Sequence, residues 1–400
     1  MITDKKESET MLSASDMARY ARHLTVPEIG KAGQERLKGA GVLVIGAGGL
    51  GSPALQYLAA AGVGRLGIVD ADRVESSNLQ RQVLYTEEDT GKEKATQAAR
   101  RLRAMNPEIE VTAFERVFDN RSALELAAPY DVILDGTDNF PTRYLSNDLA
   151  VLTGKPNVYG SIQIFEGQLS VFAPHLGGPC YRCMFPEPPP PGVVPTCAEA
   201  GVLGVLPGIV GSLQALEALK LILGIGEPLT GRLLVFDALG LRFRSLALKR
   251  DPQCPVCGEH PTITDVRKVD YPSFCGLRPA SPADATAISP KELAARLRPD
   301  GDWGQSPSTR NPAVQLIDVR EDFEREICAL PGAIPLPLGQ VVARLGELDR
   351  ERETVVFCKA GVRGEKALAI LKANGFTHVR NLEGGILAWA REVEPGMRRY

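Results

Sequence analysis

The sequence predicts an α/β protein: a doubly wound sheet followed by a second, smaller α/β domain. Three observations carry that expectation. Short β-branched runs ending next to an aspartate alternate with helical stretches. A glycine cluster follows the first of these runs. After residues 258–287, where Pro, Gly and Ser scatter without periodicity, the strand–loop–helix pattern begins again.

Residues 12–40 read as helical. Val42-Leu-Val-Ile45 is a buried strand, Gly46-Ala-Gly-Gly-Leu-Gly51 a tight turn, and Pro53 to Ala61 a helix. Leu66-Gly-Ile-Val69 ends at Asp70, and Val132-Ile-Leu134 ends at Asp135. Residues 186–195, PEPPPPGVVP, cannot enter regular structure and read as a mobile loop. In the second half Val314-Gln-Leu-Ile317 ends at Asp318, and Thr354-Val-Val-Phe357 ends at Cys358. Gly364 to Ala373 is a helix that Gly375 stops. The expected domains are therefore 12–257 and 286–400, with 258–285 as a linker, and no internal repeat is visible.

Composition narrows the function. With 400 residues, two or three domains are expected. A net charge of −3 argues against a nucleic-acid binder. The polar N-terminus lacks the apolar core of a signal peptide, so a cytoplasmic protein is expected. The most apolar stretch, Gly201 to Gly226, carries Pro207, Gln214, Glu217 and Lys220 and reads as a buried helix, not a membrane span. Eight cysteines in such a protein point to metal or redox chemistry instead of a disulfide framework.

The strand, GAGGLG turn, helix and later acid form a Rossmann-like fingerprint. Its glycines, Gly48 and Gly49 among them, let backbone N–H groups approach phosphate at a helix N-terminus. Asp70 stands where a carboxylate takes ribose hydroxyls. Alone, this pattern favours an NAD-dependent oxidoreductase. The next residues favour a triphosphate: Asp70-Ala-Asp72, then Ser77-Asn-Leu-Gln-Arg-Gln82, then Lys94, and later Asp135-Gly-Thr-Asp-Asn139. Arg81 and Lys94 suit pyrophosphate charge, and Asp138 suits Mg²⁺. Each of these residues, taken singly, is more often a solvated surface charge; it is the set, in this order around a glycine turn, that points to a triphosphate. No GxxxxGK[ST] phosphate loop occurs in the chain.

Residues 15–257 resemble the MoeB/ThiF family, bacterial relatives of ubiquitin-activating enzymes. The resemblance rests on Arg19-Tyr-Ala-Arg22, Gly46 to Gly51, Asp70-Ala-Asp72, Ser77-Asn-Leu-Gln-Arg81, Lys94, Thr137-Asp-Asn139, Cys180-Tyr-Arg-Cys183, Thr196-Cys-Ala-Glu-Ala-Gly201 and Cys254-Pro-Val-Cys257. It implies ATP-dependent adenylation of the C-terminal Gly-Gly carboxylate of a ubiquitin-like protein. It assigns Gly49 and Asp70 to ATP, and Asn78, Arg81 and Lys94 to its phosphates and ribose. Ser77, Leu79 and Gln80 belong to the same binding segment. Asp138 is expected to aid Mg²⁺ binding, Asn139 to lie near the nucleotide, and Arg22 to enter the neighbouring subunit's site, which requires a homodimer.

The cysteines divide by spacing. Cys180-x-x-Cys183 and Cys254-x-x-Cys257 suit a tetrahedral, structural Zn²⁺ site, with two redox pairs as the competing reading. Cys197 follows the proline-rich loop; it is either a packed thiol or a group that forms a thioester or transient disulfide with an activated carrier. Cys275 and Cys328 carry no motif. Cys358-Lys-Ala-Gly-Val-Arg363 lies between a strand and a helix, where N–H groups can curl into an anion nest and Lys359 and Arg363 can add positive potential. That setting favours a thiolate and a bound persulfide, although a strand-end cysteine can merely pack.

Residues 286–395 resemble a single rhodanese domain, through Leu316-Ile-Asp-Val-Arg320, Leu330-Pro-Gly-Ala333, the Cys358 loop and Leu382-Glu-Gly-Gly-Ile-Leu-Ala-Trp389. Two departures stand out: Gly364 where Ser or Thr is common, and Cys328-Ala329 where Gly-His often precedes the Pro-Gly-Ala turn. Together the halves resemble MoeZ-type fusions. The resemblance implies a carrier adenylate that a Cys358 persulfide, charged by a sulfur donor, converts to a thiocarboxylate. The alternatives are adenylation alone with the second domain as a docking module, or a non-catalytic binding protein.

Overall fold

A computed structural model describes residues 11–189, 201–276, 286–297, 314–398 and 400. It divides into two compact units, Met1–Pro279 and Ala280–Tyr400.

In the first unit, the strands are β1 (Gly41–Ile45), β2 (Arg65–Val69), β3 (Glu110–Phe114), β4 (Val132–Asp135), β5 (Asn157–Gln163), β6 (Glu166–Phe172), β7 (Arg232–Asp237) and β8 (Arg242–Ala247). They form one sheet in the order β3-β2-β1-β4-β5-β6-β7-β8. β3 to β5 pair in parallel, and β5 to β8 pair antiparallel. The apolar runs predict β1, β2 and β4 to within a residue at either end and do not predict β3 or β5. Buried on both faces, Val42 to Ile45 and Val132 to Leu134 have no exposed side for a polar residue to occupy.

The helices are α1 (Ala14–Arg19), α2 (Ala21–Leu24), α3 (Gly30–Gly39), α4 (Gly51–Ala61), α5 (Lys94–Met105), α6 (Ala123–Ala127), α7 (Phe140–Thr153), α8 (Tyr181–Met184), α9 (Val205–Leu223) and α10 (Tyr271–Phe274). The helical reading of 12–40 resolves into three helices. Although α9 is long and apolar enough to cross a membrane, its middle is fastened inside the fold. Buried Gln214 donates to the carbonyls of Asp135 (2.7 Å) and Val158 (3.1 Å), and Glu217 accepts from Leu229 N–H at 2.8 Å. α9 packs on α4, β5 and β6 as a core helix.

The expected linker 258–285 needs correction. Residues 258–276 belong to the first unit, where Val266, Tyr271 and Cys275 enter one of its hydrophobic clusters. Asn120 donates to the Val269 carbonyl at 2.8 Å. Scattered Pro and Gly hid a short packed segment that has no periodicity to detect.

The second unit is a five-stranded parallel sheet in the order β11-β10-β12-β13-β9. Its strands are β9 (Ala287–Ile288), β10 (Val314–Asp318), β11 (Ile334–Pro335), β12 (Glu353–Phe357) and β13 (Val379–Leu382). Its helices are α11 (Pro290–Leu297), α12 (Asp322–Ile327), α13 (Val362–Ala373) and α14 (Gly385–Glu392). Two clusters, one around Trp389 and one around Phe376, cover the faces of the sheet. β12 is central, so Cys358 emerges at the middle of the sheet's C-terminal edge.

Candidate active sites

β1 and β4 are neighbours, yet β2 leaves to one side and β5 to the other. That reversal opens a crevice beyond the carboxyl ends of the strands, where ligands bind in open α/β sheets. The glycine turn after β1 meets the end of β4 there: a Cβ on Gly46 (φ +89°) would lie 2.9 Å from the Gly136 carbonyl. At Gly51 a Cβ would lie 1.9 Å from the Gly46 carbonyl oxygen, so no larger residue fits the turn.

Asp70 closes the turn from β2. Its carboxylate accepts from the N–H groups of Ala47 and Asp72, both at 2.8 Å. Burial pushes its pKa up, against the lowering influence of Lys94 and those two donors. Lys94 is buried at the start of α5, its ammonium 2.9 Å from the Asp72 carboxylate. Arg81 donates to the Ser77 carbonyl at 3.1 Å, and its stem passes beside Gly49. Asn78 is buried next to it. Leu79 packs its side chain on the main hydrophobic cluster, so any part it has in binding falls to its backbone. The Gln80 carbonyl lies against Gly204, where a Cβ would come within 2.0 Å.

Asp138 is exposed beyond β4. Asn139 caps α7, accepting from Thr142 N–H at 3.0 Å. Arg22 is exposed on α2. The sequence reading placed Gln82 in the triphosphate segment without a role of its own and left Arg143 out of the site. Gln82 Oε1 and Arg143 Nε are both buried without a hydrogen-bond partner among the described residues. Gln82 adjoins Gly48, and Arg143 donates to the Thr137 carbonyl at 3.1 Å with its guanidinium over Tyr159. The signal for Arg143 was its place one helical turn after Asn139.

Cys180, Cys183, Cys254 and Cys257 come together, with all four sulfurs within 4.8 Å of one another. Neighbouring sulfurs are 3.4 to 3.9 Å apart. A disulfide needs about 2.05 Å; sulfurs of a tetrahedral zinc–thiolate centre, with Zn–S of about 2.3 Å, sit about 3.8 Å apart. The cluster fits a metal and not two redox pairs. Asp251 N–H donates to Cys183 Sγ at 3.4 Å. The α8 knuckle is bolted to α7: Arg182 pairs with both oxygens of Asp148 at 2.8 Å, and Tyr271 donates to the same carboxylate at 3.0 Å. The Arg182–Asp148 pair is almost fully buried, with the guanidinium stacked over Tyr144 and Phe274. Cys197 lies outside the described residues, as does most of the proline-rich loop.

Cys358 is 2% exposed and accepts a hydrogen bond from Gly361 N–H at 3.1 Å. Gly361 (φ +104°) turns the loop, and the Ile386 N–H of α14 holds the Cys358 carbonyl at 2.9 Å. The departure at Gly364 has a steric reason: a Cβ there would lie 2.1 Å from Oδ1 of Asn381, whose amide donates to the Gly361 carbonyl at 2.9 Å. Arg363 does not offer a spare charge to the loop as expected. Its guanidinium is held by both oxygens of Glu324 at 2.6 Å. Burial alone would raise Glu324, but hydrogen bonds from Arg363, the Glu321 N–H and Tyr400 bring it down to about 2. Lys359 sits 4.6 Å from the centre of the Tyr400 ring. In place of the commoner Gly-His, Cys328 gives its carbonyl to Arg320 at 2.9 Å.

Comparison with known proteins agrees with both halves. Residues 20–256 match the ThiF family, and residues 302–392 match the rhodanese-like domain. The chain is 48% identical over 402 residues to a probable adenylyltransferase/sulfurtransferase MoeZ of Mycobacterium tuberculosis, covering 98% of each. It is 43% identical over 414 residues to the adenylyltransferase and sulfurtransferase MOCS3 of Mus musculus, covering 97% of this chain and 88% of that one. A sulfur carrier protein adenylyltransferase of Thermus thermophilus is 59% identical over 267 residues, covering 66% of this chain and 98% of its own. Among solved structures, E. coli MccB with MccA-N7isoASN shares the fold of the larger unit, with a TM-score of 0.54 at 24% identity over 60% of this chain and 75% of that one. The chain belongs to the ThiF family, joined to a rhodanese-like domain, and is an enzyme of the adenylyltransferase and sulfurtransferase class.

Proposed function

We propose that this chain adenylates the C-terminal glycine of a ubiquitin-like sulfur-carrier protein and then converts it to a thiocarboxylate. The observation that carries the reading is the pairing of two sites in one chain: a glycine-lined crevice with cations beside it, and a cysteine cradled at the centre of a second sheet. In the first step a carrier carboxylate oxygen attacks the α-phosphorus of ATP. The bond to the β-phosphate breaks and pyrophosphate leaves. Backbone N–H groups of the turn at Gly48 and Gly49 approach the phosphates, Arg81 and Lys94 offset the charge gathering on the leaving group, and Asp70 receives the ribose. Asp138 supplies an oxygen ligand for Mg²⁺. The four-cysteine cluster is assigned to a structural Zn²⁺ because its ligand set is complete and leaves no open position. Arg22 completes the site of a second subunit in a homodimer.

In the second step the terminal sulfur of a Cys358 persulfide attacks the acyl carbon and AMP leaves. The product is an acyl disulfide. Two thiol groups of a dithiol reductant then reduce its S–S bond and leave as a disulfide, freeing the thiocarboxylate on the carrier and the thiol of Cys358. The Gly361 N–H, aimed at the sulfur of Cys358 from the loop that precedes α13, suits a sulfur anion. Cys197 is assigned a subsidiary part in holding or releasing the carrier.

The test joins the two halves. Cys358→Ala should leave carrier-dependent ATP–pyrophosphate exchange near wild type and abolish thiocarboxylate formation from a persulfide donor, read as one oxygen replaced by sulfur in the carrier's mass. Full-rate thiocarboxylate formation by that variant, with no free sulfide present, would make the second domain a docking module.

A further inference from the structure

Tyr400 is far in sequence from the Cys358 loop and belongs to none of the motifs. Its side chain nevertheless reaches both ends of that loop. At one end its ring lies against Lys359, the residue after the cysteine, with the ammonium 4.6 Å from the ring centre. At the other end its hydroxyl donates to Glu324 Oε1 at 2.8 Å, and Glu324 grips Arg363 with both oxygens. The same hydroxyl accepts from Arg320 at 2.8 Å. Arg320 is itself fixed by Asp318 at the end of β10, with contacts of 2.9 and 2.7 Å. The proton and one lone pair of the phenol therefore have partners, and its half-buried position pushes its pKa up.

We propose that Tyr400 is a positioning residue for sulfur transfer: it sets where the Lys359 ammonium and the Arg363–Glu324 pair stand around the sulfur of Cys358. The two contacts do different work. The ring positions a cation by its quadrupole, an attraction that is direct and local. The hydroxyl ties the Glu324–Arg363 pair to the sheet through Arg320 and Asp318, which fixes the start of α13. An anionic sulfur donor approaching Cys358 meets a positive potential whose location depends on the ring, while the shape of the loop depends on the hydroxyl. The inference rests on the reading of Cys358 as the sulfur carrier.

Thiosulfate is the probe. Its terminal sulfur passes to the Cys358 thiolate: the new S–S bond forms, the S–S bond of thiosulfate breaks, and sulfite leaves with the electron pair. Single-turnover persulfide formation on the full chain, followed by mass spectrometry across a range of thiosulfate, separates half-saturation from the saturating rate. Tyr400→Ala should raise the half-saturating concentration about tenfold, with the saturating rate changed by less than about threefold. Tyr400→Phe keeps the ring and should raise it only about threefold. If Tyr400→Ala leaves half-saturation unaltered, Tyr400 does not position the loop's charge. The inference is equally overturned if both variants lower the saturating rate, weaken half-saturation and lower the thermal midpoint in parallel, since Tyr400 would then be a packing residue. A wild-type chain that forms no Cys358-dependent persulfide overturns the sulfur-carrier reading beneath the inference.

Discussion

Gly364 shows how a single position can look like a defect in a motif and be a packing requirement. Its Cα faces the Asn381 side chain so closely that a Cβ would overlap Oδ1. The Asn381 amide holds the Gly361 carbonyl, and Gly361 holds the sulfur of Cys358. Asn381 thus fills the space that a larger residue at 364 would take. Gly364→Ala gains about 1 kcal/mol of helix propensity but must rotate a buried amide away from its partner, at about 1–3 kcal/mol. We expect a lower thermal midpoint for the second unit in Gly364→Ala, and no loss when the same change is made in an Asn381→Ala background. A double-mutant cycle by thermal denaturation should give a coupling of about 1–2 kcal/mol; additive effects would mean that the two side chains do not compete for one space.

The four-cysteine knuckle acts as an element and not only as four ligands. α8 alone is a single turn of four residues, too short to hold itself. It is fixed by the sulfur cluster on one side and by the Arg182–Asp148 pair, which Tyr271 and Phe274 of α10 close over, on the other. Arg182 and its carboxylate partner are nearly dry, so removing one leaves a buried charge, at a cost of about 3–5 kcal/mol. Cys254→Ser, or a strong chelator under reducing conditions, should lower the thermal midpoint of the first unit much more than it changes the intrinsic exchange chemistry. Metal analysis of the freshly purified, reduced chain should find one zinc per chain. A metal-free chain with an unchanged midpoint would remove the assignment.

For the molecule as a whole, the two units each carry their own sheet and hydrophobic clusters. The described residues of the first unit end at residue 276, which leaves residues 277–285 between the described parts of the chain. Arg22 is exposed on α2, and its proposed place is the site of a second subunit. Mixed Arg22→Ala and Arg81→Ala subunits should therefore recover part of the carrier-dependent ATP–pyrophosphate exchange that each has lost alone, because one site in the mixed dimer is whole. Demonstrated subunit exchange with no recovery would refute action in trans.

The sequence by itself determined strands β1, β2, β4, β10 and β12, the glycine turn, the paired cysteine knuckles and the strand–cysteine–helix unit, because each depends on residues close together in the chain. Side-chain periodicity, φ preferences and ligand spacing are local quantities, legible without coordinates. Only the tertiary structure decided that residues 258–276 are packed, that Gln82 and Arg143 each hold a buried polar atom unpaired among the described residues, that Glu324 takes the charge of Arg363, and that Asn381 and Tyr400 stand beside a cysteine loop they do not adjoin in sequence. Those relationships depend on which side chains meet across a sheet or at the end of a strand. Burial makes them consequential there, since a dry polar atom must find its partner wherever the chain has folded one into reach.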